Sequence, residues 1–163
     1  MAPNLRGWYY CGSRLTQAAR TAFSPPPSPM AQILLIDDDA EVRSVIRQTL
    51  IHSGHTVVEA CDGVEGLGLF PKANADLVIT DMVMPGRDGA EVLTELQKMH
   101  PPVKVIAITG GSRHGFGDDH EVAARLGAAK VLAKPFSCAT LLSAIDELLG
   151  EGADSGGRPG VGA

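Results

Sequence analysis

Asp81 closes an apolar run, Leu77-Val78-Ile79-Thr80, and is followed by Met82-Val83-Met84-Pro85-Gly86. A segment with the composition of a central parallel strand therefore delivers one carboxylate to a turn. Two more carboxylates, Asp37 and Asp38, follow the apolar run Ile33-Leu34-Leu35-Ile36. Thr109 ends a third such run, over residues 103–109, and Lys134 follows a fourth, over residues 130–133. If these strands are parallel, their carboxyl ends share one edge, the edge on which open α/β sheets place their ligands. Three carboxylates meeting there repel one another and favour a cation among them. A small set of oxygen ligands, with room for water and a phosphoryl oxygen, suits Mg2+. Lys134 adds a compact positive charge able to pair with a carboxylate or an added phosphate. Thr109 offers a hydroxyl to a phosphoryl oxygen, and Gly110 is expected to leave space for that group.

The elements that would carry these residues alternate. A strand at 33–36 precedes an amphipathic helix at 41–53, with Val42, Val45, Ile46, Thr49 and Leu50 on one face and Gly54 as its stop. A second strand spans 55–60, and Asp62-Gly63 turns the chain. Residues 64–70 predict a poor helix: Gly66 and Gly68 each cost about 1 kcal/mol against alanine, and Pro71 is expected to end it early. That element should be short or mobile. After the Asp81 strand come a helix at 90–99 with Val92, Leu93 and Leu96 inward, closed by Pro101-Pro102, and the strand at 103–109. A loop with four glycines, residues 110–119, leads to a brief helix at 121–126 and a fifth strand at 130–133. Ser137 then caps a last amphipathic helix running through Leu149. Five strands alternating with five helices predict an α/β fold: a doubly wound, five-stranded parallel sheet with helices on both faces and right-handed crossovers.

Composition limits what such a chain can do. Its 163 residues suit one domain, and 44% hydrophobic with 20% charged residues is an ordinary globular balance. The net charge of −5 argues against a nucleic-acid surface and is compatible with a divalent cation. Cys11, Cys61 and Cys138 are odd in number and form no CxxC, so neither a disulfide framework nor a zinc site is expected, and a cytoplasmic setting is the simplest. No apolar run approaches the roughly 18 residues of a spanning helix, so no membrane segment is expected. Residues 1–30, with Arg6, Arg14 and Arg20, no acid, and Pro25-Pro26-Pro27, read as a disordered or spurious extension ending in a proline-rich linker. The folded unit is expected at 31–149, and residues 150–163, rich in glycine, as a disordered tail.

With these residues in place, the stretch 31–149 resembles the receiver domain of two-component response regulators. The family's acidic pair falls on Asp37 and Asp38, its phosphoacceptor on Asp81, its switch hydroxyl on Thr109, and its lysine on Lys134 within Lys134-Pro135-Phe136. The resemblance implies a flavodoxin-like arrangement. It also implies that Asp81 takes a phosphoryl group from a phosphohistidine on a sensor histidine kinase or phosphotransfer protein. Asp38, Asp81 and the backbone carbonyl of Val83 would hold Mg2+ directly, with Asp37 acting through water. Two departures stand out. Where receivers often carry Tyr or Phe, three residues before the lysine, this chain has Val131, so a switch would have to use backbone and loop shifts. The glycine-rich loop after Thr109 is a few residues longer than usual. No DNA-binding or catalytic segment follows Leu149, which suggests a non-enzymatic, single-domain regulator acting on a downstream protein or as a relay intermediate.

Two rival readings share these residues. Asp37-Asp38-Asp39 also fits the Asp-x-Asp pattern of haloacid-dehalogenase-like phosphatases, with Asp37 as nucleophile and Asp39 as general acid. Asp118 and Asp119, however, sit after glycines with no strand before them, unlike that family's later acidic motif. The other rival is a receiver-like binding module that takes no phosphate, against which the intact set of five residues argues. His114 and His120, beside Asp118 and Asp119, read as a solvated polar loop before they read as a transition-metal site.

Overall fold

The apolar runs form strands and the periodic stretches between them form helices. In the computed structural model, which describes residues 30–86, 88–99, 103–110 and 118–150, the order is β1 (Gln32–Ile36), α1 (Ala40–His52), β2 (Thr56–Ala60), α2 (Gly63–Ala73), β3 (Leu77–Asp81), α3 (Gly89–Met99), β4 (Val105–Gly110), α4 (Asp118–Arg125), β5 (Lys130–Lys134) and α5 (Cys138–Gly150). All strand pairings are parallel and the sheet order is β2-β1-β3-β4-β5. The chain winds one way from β1 to β2 and the other way from β3 onward, so the order reverses between β1 and β3. A crevice opens at such a reversal, outside the carboxyl ends of the strands. Asp37 follows β1 and Asp81 ends β3, so both stand at that point.

Alternation along the strands sends successive side chains to opposite faces. Ile33, Leu35, Ile79, Ile106 and Ile108 pack with Ile46 and Leu50 of α1 and with Leu141, Ile145 and Leu148 of α5. Leu34, Ile36, Val78, Val105 and Ala107 pack on the other face with Phe70 of α2, Val92, Leu93 and Leu96 of α3, and Ala123 of α4. Full burial of one such aliphatic side chain is worth about 1.5–3 kcal/mol. Two full layers therefore hold the strand ends in fixed register, which is what a site assembled from four strands requires.

The second helix corrects the sequence reading. Pro71 lies inside α2 and does not end it; the helix runs on to Ala73 and stops at Asn74, which adopts a left-handed φ of 46°. Proline forfeits one intrahelical bond, but Phe70 and Ala73 on either side of Pro71 are buried, and that packing holds the last turn. Its start is well capped: the Asp62 carboxylate accepts from Glu65 N–H at 2.8 Å, and Glu65 in turn accepts from Cys61 N–H at 2.7 Å. Gly66 is a packing position, since a Cβ there would come within 2.4 Å of Ile36 Cδ1. Helix α4 begins at Asp118, three residues before the expected start, and β4 begins at Val105, two residues after it. Ser137 caps α5 as expected, its Oγ accepting from Thr140 N–H at 3.1 Å. The expectations for residues 1–29, Pro101-Pro102, loop residues 111–117 and tail residues 151–163 lie outside the described residues. No described helix is long and apolar enough to cross a membrane.

Candidate functional site

The loop after β1 is held by hydrogen bonds at Asp37 and Asp39. Asp37 N–H donates to the Ala60 carbonyl of β2 at 3.3 Å, and Asp37 Oδ1 accepts from Asp39 N–H at 2.8 Å. Asp39 is the N-cap of α1, accepting from Glu41 N–H at 2.9 Å and Val42 N–H at 3.2 Å. Asp37 is thereby wholly buried, while Asp38 faces solvent.

Asp81, the last residue of β3, is buried, and both of its carboxylate oxygens are engaged. Oδ1 accepts from Val83 N–H at 3.0 Å, and Oδ2 pairs with Lys134 Nζ at 2.8 Å. Lys134 Nζ also lies 3.7 Å from Asp37 Oδ2. Asp37, Asp38 and Asp81 each offer an oxygen such that the three lie within 4.8 Å of one another. Asp37 Oδ2 is buried without a hydrogen-bond partner. An orphaned buried acceptor costs about 1–3 kcal/mol, so this oxygen is one that a hydrated cation would satisfy. The donor set, three carboxylates with an open side at Asp38, is of the hard oxygen type that suits Mg2+.

The titration behaviour follows from burial. Desolvation pushes Asp37 up from 3.8 to about 6; Lys134 pulls it back, and the negative charge of Asp81 pushes it further up. Burial works against the charged amine of Lys134, but its hydrogen bond to Asp81 and the charges of Asp81, Asp37 and Asp39 outweigh that cost, so its pKa is raised.

The remaining expected residues take distinct positions. Thr109 is buried near the end of β4, opposite Ala133 in the register, with Gly110 opposite Lys134. Gly110, expected to leave space beside Thr109, borders the stem of Lys134. A Cβ there would stand 3.0 Å from Lys134 Cδ, so the missing side chain makes room for the lysine stem that reaches Asp81. Val83 is exposed, in the loop that follows Asp81. Val131 is half-buried in β5, opposite Ala107, against the layer formed by α2, α3 and α4. The cluster it packs against also contains Ile36 and Met82, the chain neighbours of Asp37 and Asp81.

Two residues escaped the sequence reading. Gly89 begins α3, and its N–H donates to the Met82 carbonyl at 3.0 Å. A Cβ there would fall 2.4 Å from the Asp81 carbonyl oxygen and 2.5 Å from Met82 Cα, so the loop carrying Asp81 closes only over a glycine. The pair Asp88-Gly89 marks a turn in sequence but gives no hint of what the glycine touches. The other is Arg43, whose Nη1 donates to the Asp37 carbonyl at 2.7 Å. Its place six residues after Asp37, on the first turns of α1, was the available signal.

The family model of the response regulator receiver domain matches residues 33–146, which include every element from β1 into α5. The chain belongs to the response regulator receiver family. The sheet order β2-β1-β3-β4-β5 is accordingly the flavodoxin-like receiver arrangement. Among its relatives, the chemotaxis protein CheY of Halobacterium salinarum is 31% identical, with the match covering 72% of this chain and 96% of that protein. The sporulation initiation phosphotransferase F of Bacillus subtilis is 30% identical, over 72% of this chain and 93% of its own length. A crystal structure of a receiver domain protein from Clostridium thermocellum superposes with a TM-score of 0.70 at 35% identity, covering 76% of this chain and 98% of that one. Other relatives are much longer. The match spans 13% of the sensor kinase CckA of Brucella abortus, at 36% identity, and 27% of the transcriptional regulatory protein GlrR of Escherichia coli. Against the phosphatase alternative, Asp39 is spent as a helix cap, with its Oδ1 already accepting two backbone N–H groups.

Proposed function

We propose that this chain is a phosphoacceptor in a two-component phosphorelay, with Asp81 the residue modified. The observation that carries the reading is the 2.8 Å pairing of Lys134 Nζ with Asp81 Oδ2 beside the buried Asp37 Oδ2, which accepts no hydrogen bond. A carboxylate oxygen of Asp81 attacks the phosphorus of a phosphohistidine, forming an O–P bond as the P–N bond breaks and the imidazole leaves. A bound Mg2+ would supply positive charge to the phosphoryl oxygens as charge develops on them. Asp38, Asp81 and the Val83 carbonyl would hold that ion, with Asp37 completing the acidic set. Lys134 keeps a fixed ammonium where the transferred oxygens gather, the preorganised charge on which such transfers depend. Thr109 then donates its hydroxyl to a phosphoryl oxygen, drawing the end of β4 toward the site and transmitting the modification.

The donor is a sensor histidine kinase or phosphotransfer protein, and the receiver of the signal is a downstream protein contacted directly, without nucleic acid or membrane. On this reading the chain is a cytoplasmic signalling module, not an enzyme, with residues 31–149 as its folded unit. The regions 1–30 and 150–163 flank it. The test is incubation of the full chain with a low-molecular-weight phosphodonor, with and without Mg2+, read by intact mass. One added phosphoryl group that depends on Mg2+ supports the reading. A chain that binds Mg2+ but never gains that mass is a binding module instead.

A further inference from the structure

Asp38 differs from its two companions in having no wall around it. Asp37 and Asp81 are buried and held by hydrogen bonds, whereas the Asp38 side chain faces solvent, so its direction depends on the main chain that carries it. That main chain is fixed from both sides. Asp37 N–H is held by β2 through the Ala60 carbonyl at 3.3 Å, and the Asp37 carbonyl is held by Arg43 Nη1 at 2.7 Å. The Asp37 carbonyl belongs to the peptide plane that ends at the Asp38 Cα, so pinning the oxygen fixes that plane. Arg43 is itself braced: its Nε lies 3.4 Å from Glu59 Oε1 of β2, and its side chain is only 18% exposed. Arg47, one turn further along α1, pairs with the other oxygen of Glu59 at 2.9 Å but is 46% exposed.

Building on the reading of the carboxylates as a Mg2+ site, we infer that Arg43 is a positioning residue for that site, aiming Asp38 at the ion through the Asp37 carbonyl, with Glu59 as its brace. Arg47 shares Glu59 and the same helix, which makes it an internal control for the purely structural role of stapling α1 to β2. Charge gives the effect a sign. Removing a cation near a cation site should tighten Mg2+ binding if Arg43 acts only through its field, whereas loss of aim should weaken it. A planar guanidinium suits the task because one edge reaches the carbonyl while Nε meets the carboxylate.

The experiment is calorimetric titration of Mg2+ into the full-length chain, wild type against Arg43→Gln and Arg47→Gln, with thermal melts confirming that each is folded. Partners that orient metal ligands typically carry 10–100-fold in affinity, so Arg43→Gln should weaken binding by about tenfold, at the low end because it acts through the backbone. Arg47→Gln should leave affinity unchanged. Labelling by the phosphodonor at saturating Mg2+ should match wild type in Arg47→Gln, which separates the shared Glu59 contact from the site. Should Arg43→Gln fail to fold, Arg43→Lys is compared with Arg47→Lys, and only the first should weaken Mg2+ binding. Unchanged or tighter binding in the Arg43 variant, or equal weakening in both, overturns the inference while leaving the Mg2+ site standing. Absence of Mg2+ binding by wild type overturns the site reading and this inference with it.

Discussion

Asp37→Asn should stabilise the protein in the absence of metal, although it replaces a fully buried residue of the site. Asp37 is raised from 3.8 to about 6, chiefly by burial, a displacement worth about 3 kcal/mol against the ionised folded state. For a carboxyl raised on folding, the favourable contribution is complete below the unfolded value of 3.8 and is lost as pH rises through about 6. At pH 8 the wild type thus carries the whole burden of an ionised, desolvated carboxylate. Asparagine removes it and retains the acceptor for Asp39 N–H. Its amide nitrogen, however, turns a donor toward the Lys134 ammonium 3.7 Å away where the neutral acid offers an acceptor, and that mismatch offsets about 1–2 kcal/mol of the gain. The net expectation is about 1–2 kcal/mol in favour of the variant at pH 8, a rise of several degrees in Tm. The advantage should vanish near pH 4. Mg2+ reverses the order, because an ion that binds only the folded state at a hundred times its Kd adds about 2.7 kcal/mol to the wild type, while the variant has one carboxylate fewer to hold it. Urea unfolding at pH 8 and pH 4, with chelator and with Mg2+, reads all four conditions. A variant less stable than wild type at pH 8 in chelator, or a difference that ignores pH, refutes the reasoning.

Gly89→Ala should cost about 1–3 kcal/mol in urea unfolding and slow labelling of Asp81, because the new Cβ meets the backbone of Asp81 and Met82, which no rotamer change can relieve. An unchanged midpoint would contradict it. Lys134→Met should slow phosphodonor labelling by about 100-fold, in line with removal of one preorganised charge, while calorimetric Mg2+ affinity stays equal or rises as a neighbouring cation disappears. Val131→Tyr should leave the labelling rate as it is, since position 131 packs into the hydrophobic layer of α2, α3 and α4 and brings no charge to the site. A loss of labelling there would show that position 131 is itself coupled to the site.

The strand ends were legible because their signals are local: continuous apolar runs, each followed by the residue that matters. Asp81, Asp37 and Lys134 could be brought to one edge from that pattern and the parallel topology it implies. What could not be read depends on contacts distant in sequence. Pro71 looked like a stop, yet burial of Phe70 and Ala73 carries α2 past it. The space left by Gly110 was expected from sequence, but not that the stem of Lys134, 24 residues on, borders it, as the register sets the two opposite each other. Gly89 and Arg43 both act on backbone atoms of the acidic residues, and a sequence records side-chain chemistry far better than the atoms a side chain will touch. Val131 shows the reverse case: the missing aromatic was plain in the sequence, and the structure adds that the position is half-buried against the layer of α2, α3 and α4.

The central claim is that Asp81 is the residue that accepts a phosphoryl group. Peptide mass spectrometry after incubation with a small phosphodonor and Mg2+ tests it directly on wild type, Asp81→Asn and Asp37→Asn. The account predicts an acyl phosphate on the wild-type peptide containing Asp81, none in Asp81→Asn, and weakened but present labelling in Asp37→Asn, which disturbs the cation and spares the nucleophile. Labelling that persists in Asp81→Asn and disappears in Asp37→Asn would contradict it and make Asp37 the nucleophile.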